Sequence, residues 1–248
     1  MTTCPDGFKR IHLADCTSTN DYLKQNIARF ESDFPLLVTA DAQTTGRGRE
    51  NREWLSLQNL GIYATFGFHL ADKRHLGLLS ITCGVAAIGM LQDWTGREFD
   101  LKWPNDILAD GKKIAGILCE TVINGEKIVC LAGIGVNVNQ DSGDFPETLR
   151  SRAGSLKLLT GREWPPAAGR DRLAVSMAHW LEKLSHDDRA AIVGRARHLS
   201  RSFLGRTVSF HHQGRLTHGT FLDIAANGGL RLGLADGETK MFYSGELD

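Results

Sequence analysis

Apolar residues recur at changing spacings along the 248-residue chain, and each change marks an element. From Ser18 to Phe30, Leu23, Ile27 and Phe30 fall on one helical face, with Ser18 placed to cap it and Asp21 three residues on. FPLLVTA, residues 34–40, is a short apolar run that predicts a strand. NLGIYATFGFHL, residues 59–70, alternates. Ile62, Ala64, Phe66 and Phe68 share one side, and Tyr63, Thr65 and His69 the other, which predicts a half-buried strand. Residues 74–94 predict a helix long enough to cover a sheet face. FDLKWPNDIL, from Phe99, starts as a strand, breaks at Pro104 and resumes. Residues 112–139 predict two strands joined at Asn124-Gly125, a strong hairpin signal. Strict β-α-β alternation is absent. The fold class expected is α+β: a mixed β-sheet with helices on one face.

Further along, residues 169–185 predict an amphipathic helix with Leu173, Met177, Trp180, Leu181 and Leu184 inward, and residues 187–200 a second. After Gly205 the pattern changes to short alternating strands, with turns at Asn227-Gly228-Gly229 and Asp236-Gly237. So short a unit is marginal alone, so it reads as a small barrel leaning on the main domain. The division expected is a catalytic or binding domain over 1–200 and a small domain over 201–248.

Composition narrows the function classes. Hydrophobic residues make up 42% and charged residues 23%, ordinary for a soluble globular protein. The 29 basic and 29 acidic residues cancel, so no global field steers the chain to nucleic acid or membranes. The apolar stretch 76–91 is too short and too rich in small residues to predict a membrane span, and the N-terminus lacks a secretory pattern. Cysteines stand at 4, 16, 83, 119 and 130, with no CxxC pair. Reduced thiols in a cytoplasm are expected, with no protein metal site.

Four short stretches carry the candidate chemistry. QTTGRGRENREW, residues 43–54, sets Arg47, Arg49 and Arg52 among two glycines. Guanidinium groups match phosphate and carboxylate oxygens two at a time, and glycine lets a backbone fold over a ligand. A charged surface loop with ion pairs to Glu50 and Glu53 would look the same. KWPNDIL, 102–108, puts Asn105 and Asp106 just after a proline, as many simple turns do. KIAGIL, 113–118, aims a lysine toward a cleft, or snorkels it at an edge. GIGVN, 133–137, has no third glycine and no apolar helix after it, so a dinucleotide turn is rejected. It reads instead as a strand whose glycines let another backbone come close.

Together, and in this order, these stretches resemble the biotin protein ligases. The motifs are Gly46-Arg47-Gly48-Arg49-Glu50-Asn51-Arg52-Glu53-Trp54, Lys102-Trp103-Pro104-Asn105-Asp106, Lys113-Ile114-Ala115-Gly116-Ile117-Leu118 and Gly135-Val136-Asn137, with Ser18-Thr19-Asn20 ahead of them. Asn51 stands where the family pattern has a third glycine; asparagine tolerates positive φ better than most residues. The resemblance implies a mixed sheet flanked by helices, like class II aminoacyl-tRNA synthetases, plus a C-terminal SH3-like β-barrel. It implies two chemical steps. Biotin and ATP, with Mg2+, give biotinoyl-5′-AMP and pyrophosphate; a lysine of a biotin carboxyl carrier domain of a carboxylase then displaces AMP. It implies biotin contacts from Ser18, Thr19, Asn20, Gln43, Gly46, Arg47, Gly48 and Gly116. It implies ATP or adenylate contacts from Arg49, Arg52, Trp54, Asn105, Asp106, Lys113 and Asn137. Lys113, Arg49 and Arg47 are the expected catalytic cations, because two repelling anions must be brought together.

Two alternatives remain: a lipoate-type acyl ligase on the same fold, and a non-catalytic biotin or adenylate sensor. Only 17 residues precede Ser18, so a ligase without a DNA-binding domain, and no specific DNA partner, is expected. A sheet edge leaves room for a homodimer. Five arginines, at 189, 195, 197, 201 and 206, form an acid-free run that is expected to meet the acceptor domain.

Overall fold

The computed structural model describes residues 6–125 and 127–247. The chain begins with β1 (Lys9–Cys16), α1 (Thr19–Gln25), α2 (Ile27–Phe30), β2 (Leu36–Gln43) and β3 (Gly61–His69). Next come α3 (Leu79–Thr95), β4 (Asp100–Lys102), β5 (Asp106–Ala109), β6 (Lys112–Asn124) and β7 (Lys127–Asn137). Then follow α4 (Leu156–Thr160), α5 (Pro166–Ser185) and α6 (Arg189–Leu199). These strands form one seven-stranded sheet in the order β1-β2-β3-β7-β6-β5-β4, in which only β1 and β2 run parallel.

Both faces of this sheet are covered, not one. The period of two sends Leu37, Phe66, Cys130 and Ile134 into a core with α3 and α5, while Leu36, Val38, Val129 and Leu131 pack with Leu23 and Phe30 of α1 and α2. β3 lies at the centre, so all its residues except His69 are buried. The expected half-buried strand is therefore wrong. Its polar side is the floor beneath α1: Thr65 Oγ1 sits 2.8 Å from Thr19 Oγ1, and the Tyr63 hydroxyl donates to Leu57 O at 2.8 Å. Burial is tolerated because each polar atom has a partner.

The single helix expected over 18–30 is broken at Asn26, whose Nδ2 donates to Tyr22 O at 2.8 Å. Such local side-chain bonds compete with the helix ladder. Ser18 caps α1, accepting from Asp21 N at 3.5 Å. The helix over 74–94 starts as a 3-10 turn, Lys73–Leu78, and ends at Gly96 with φ +68°. Residues 73–95 are long and apolar enough to cross a membrane by composition, but most of them are buried against α5, α6 and the sheet. In α5, Leu173, Met177 and Leu184 are buried as expected, while Trp180 and Leu181 are only half-buried. The strand expected to resume after Pro104 instead folds back: Lys102 pairs with Asp106, so β4 and β5 form a hairpin. The β6–β7 hairpin closes where Asn124 pairs with Lys127, and Gly125 takes φ +60°.

The C-terminal strands are β8 (Thr207–His212), β9 (Arg215–Ile224), β10 (Leu230–Leu234), β11 (Thr239–Phe242) and β12 (Glu246–Leu247). They form an antiparallel sheet, β11-β10-β9-β8-β12, whose two edges are not paired to each other among the described residues, so the expected barrel is not closed. This sheet docks on the β4–β5 hairpin. Trp103, 2% exposed, donates from Nε1 to Gly228 O at 2.9 Å and packs beside Phe210. Four of the five arginines in the run have partners within the chain. Arg189 pairs with Asp187, Arg195 donates to Gln92 at 2.6 Å, and Arg197 donates to Ile224 O at 2.9 Å and pairs with Asp223. Arg201 bonds His198. Arg195 and Arg197 thus help to join α6 to its neighbours, while Arg197, Arg201 and Arg206 stay on the exposed surface.

Candidate active site

The arginine loop folds back on itself between β2 and β3. Trp54 N donates to Gly46 O at 2.8 Å, and Gly48 N to Arg52 O at 2.7 Å. Gly46 has no room for a side chain: a Cβ there would lie 2.6 Å from Ser56 Oγ. At the loop tip Glu50 and Asn51 take φ of +56° and +57°. Asn51 thus adopts the left-handed conformation for which the family pattern has glycine.

Except for Gly46, every residue expected in the site lines one cavity of about 500 Å3. The four cations expected from the sequence have protein acceptors, and Lys102 and Arg152 add two more cations to the wall. Arg47 donates from Nε to Asp21 at 3.0 Å and lies 3.7 Å from Glu120. Arg49 donates to Asn105 Oδ1 at 3.0 Å and to Gly245 O at 2.8 Å. Arg52 donates to Glu246 at 2.7 Å and to Glu50 at 2.9 Å. Lys113 Nζ lies 2.7 Å from Asp106 Oδ1, close as an ion pair but off-line as a hydrogen bond, and 5.5 Å from the Trp54 ring centroid. The Arg52 hydrogen bond holds the Glu246 carboxyl below the ordinary glutamate range against the opposing effect of burial. At Glu120, burial pushes the carboxyl up, but hydrogen bonds from Lys24 and Asn20 and the nearby Lys24 and Arg47 charges bring it down overall.

The floor is glycine. Gly133 and Gly135 stand on the same face of β7, roughly 6–7 Å apart. Asn20 packs on Gly133, and the Trp54 indole lies across Gly135 and Gly116. A Cβ on Gly116 would be 3.1 Å from Trp54 Cζ3. The glycines therefore admit side chains, not the backbone expected from the sequence. Trp54 Nε1 is buried with no hydrogen-bond partner among the described residues. A buried N–H left this way favours a ligand acceptor. Asn105 is braced by Ile117, and Asn137 Nδ2 donates to Gly154 O at 2.9 Å, holding the adjoining loop.

Above Gly133 lies a polar ladder. Thr19 N donates to Gln43 Oε1 at 2.8 Å, and Gln43 Nε2 to Ser56 Oγ at 2.7 Å. Thr65 Oγ1 reaches Asn20 Oδ1 at 2.6 Å, and Asn20 Nδ2 donates to Leu118 O and to Glu120.

The biotin/lipoate A/B protein ligase family matches residues 13–139, and the biotin protein ligase C-terminal domain matches residues 203–248. The chain belongs to this family. A bifunctional ligase/repressor BirA of Bacillus spizizenii is 32% identical over 82% of the chain and 67% of its own length. A biotin–[acetyl-CoA-carboxylase] ligase of Paracoccus denitrificans is 31% identical over 79% of the chain and 82% of its own length. The biotin protein ligase of Aquifex aeolicus, solved in complex with biotin and ATP, superimposes with TM-score 0.82 at 29% identity over 97% of both chains.

For a member of this ligase family, the site has parts that its motifs do not mark. Gly245 and Glu246, from the C-terminal sheet, hold Arg49 and Arg52. Asp21 and Glu120 hold Arg47, and Ser56 and Thr65 complete the ladder. Of these, the sequence marked only Asp21, as a capping partner, and Thr65, as one polar position of an alternating strand.

Proposed function

We propose that the protein ligates biotin to a lysine of a biotin carboxyl carrier domain in two steps, an ATP-consuming adenylation that gives biotinoyl-5′-AMP and a transfer that releases AMP. The observation that carries this is one cavity in which Arg47, Arg49, Arg52 and Lys113 face a polar ladder across a glycine floor. A carboxylate and a phosphate at about 4 Å repel by about 4 kcal/mol at an effective dielectric of 20. Four cations offset that, and their existing acceptors keep them oriented before an anion arrives. An anion that takes Arg52 takes it from Glu246; one that takes Lys113 takes it from Asp106.

Lys113 stabilises negative charge building on the α-phosphate as the biotin carboxylate attacks. No side chain here acts as a covalent nucleophile; the acceptor lysine attacks the anhydride and AMP leaves. Trp54 and the loop cover the adenylate and keep water from it. Mg2+ carried by the ATP phosphates would neutralise part of their charge, and Asp106, Glu53 and Glu246 are the carboxylates of the wall that could face it. Among the described residues no cluster of three His, Cys, Asp or Glu converges.

Biotin is favoured over lipoate because the wall of Ser18, Thr19 and Gln43 offers hydrogen bonds that a dithiolane cannot return. A sensor would have no use for Arg49, Arg52 and Lys113 gathered for a phosphate. The free thiols of Cys16, Cys83, Cys119 and Cys130 suit the cytoplasm. A homodimer would form along edge strand β1 or β4, and sedimentation velocity reads it. We also propose that these 248 residues bind no operator DNA. The support is the balance of 29 basic and 29 acidic residues, which gives no overall field toward nucleic acid. A sequence-specific gel shift with biotin and ATP present would refute that.

The direct test is to incubate the protein with biotin, MgATP and a purified carrier domain. Mass spectrometry should find one biotinylated lysine; an unmodified carrier would overturn the proposal.

A further inference from the structure

We propose that Thr65, buried beneath the cavity and touching no ligand, sets the hydrogen-bond polarity of the wall, so that Thr19 presents only a lone pair and selects a ligand carrying a ring N–H. The inference rests on the reading of the site as a biotin site and names the device behind its selectivity.

Each proton in the ladder can be placed. Asn20 Nδ2 faces two acceptors, Leu118 O at 3.2 Å and Glu120 Oε2 at 3.0 Å. Reversing that amide would set an oxygen against a carbonyl and a carboxylate, so its orientation is fixed. Asn20 Oδ1 is then an acceptor, and Thr65 Oγ1 at 2.6 Å supplies its proton. Thr65 is 0% exposed and has only that one hydroxyl proton. The 2.8 Å contact between Thr65 and Thr19 therefore runs the other way, with Thr19 donating.

The other neighbour of Thr19 agrees. Ser56 gives its proton to Trp54 O at 3.1 Å, so it accepts from Gln43 Nε2 at 2.7 Å. Gln43 Oε1 is thereby turned to Thr19, at 3.2 Å from the hydroxyl. Both protein neighbours of the Thr19 hydroxyl are acceptors, and its proton is committed to them. What remains for the cavity is a lone pair. Ser18 Oγ, which accepts weakly from Asp21 N at 3.5 Å, keeps its proton for a ligand carbonyl. Lone pair beside donor is the complement of a cyclic urea, N–H beside C=O. Thr65 is a positioning residue in this scheme: it acts through Asn20 and Thr19.

The test is biotin-dependent pyrophosphate exchange by wild type, Thr65→Val and Thr65→Ser. Thr65→Val removes the proton source at similar volume and leaves Asn20 Oδ1 buried without a donor. The KM for biotin should rise about 10- to 100-fold. The KM for ATP at saturating biotin should stay within about threefold, and Thr65→Ser should restore the biotin KM. Should Thr65→Val not fold, Thr65→Cys, a weak donor, carries the same comparison and the same expected split. An unchanged biotin KM in the variant, a parallel rise in both KM values, or an equal loss in Thr65→Ser would overturn the role of Thr65. Absence of biotin-dependent exchange in wild type would instead overturn the proposed function.

Discussion

Replacing Gly135 by alanine places a methyl group against the Trp54 indole. The new Cβ would lie 2.5 Å from Cε2 and 2.9 Å from Cζ2. Carbon atoms rest at about 3.5–4.0 Å, so the ring must retreat by about 1 Å. The ring is driven off the glycine floor, toward the cavity. Overpacking of this kind costs about 1–3 kcal/mol, or roughly 5- to 150-fold in an equilibrium constant. We expect the KM for ATP in pyrophosphate exchange to rise by about that factor, with the protein still folded by circular dichroism. A double-mutant cycle isolates the cause: in a Trp54→Ala background, Gly135→Ala should cost almost nothing. If the alanine costs the same in both backgrounds, or nothing in wild type, the glycine floor does not work by admitting the indole.

The remaining predictions concern the seams around the site. The Arg52 hydrogen bond holds Glu246 below its ordinary value of 4.5, so this contact is fully present above that value and lost as pH falls through the lowered value. Both groups are partly exposed, so the contribution is at most about 1 kcal/mol. Proteolysis at the loop should rise on acidification below about pH 4.5, and Glu246→Gln should show the fast rate at neutral pH; a wild-type profile in that variant would contradict the contact. Arg197→Glu removes the bond to Ile224 O and faces Asp223. It should cost about 1–2 kcal/mol and lower the melting point by about 3–6 °C, leaving the KM for acceptor unchanged; a raised acceptor KM with normal stability would mark that face as a docking surface. Asp21→Asn weakens the hold on Arg47 and should raise the biotin KM up to about fivefold, read by the same exchange assay. No change would show that Arg47 needs no such partner.

The local parts of the site were legible because their chemistry is local. Gly46, Arg47, Gly48, Arg49, Arg52 and Trp54 lie within nine residues, and Asn51 announces the positive φ it adopts. β12 was not legible. It has two residues, too few for any period, and its Gly245 and Glu246 neighbours to the loop lie 196 and 194 residues from their partners. Thr65 was misassigned because a polar residue alternating with apolar ones has the same pattern above solvent as above a buried helix. The partners of the arginine run from Arg189 to Arg206 were hidden for a related reason. Gln92 and Asp223 come from distant elements, so charge counted along the sequence overstates charge on the surface.

The measurement that tests the account most directly is exchange of labelled pyrophosphate into ATP by wild type and Lys113→Ala, with biotin and then with lipoate. The account predicts exchange that requires biotin, ignores lipoate and falls about 10²- to 10³-fold in the variant. No exchange with biotin, equal exchange with lipoate, or full activity without the lysine would contradict it.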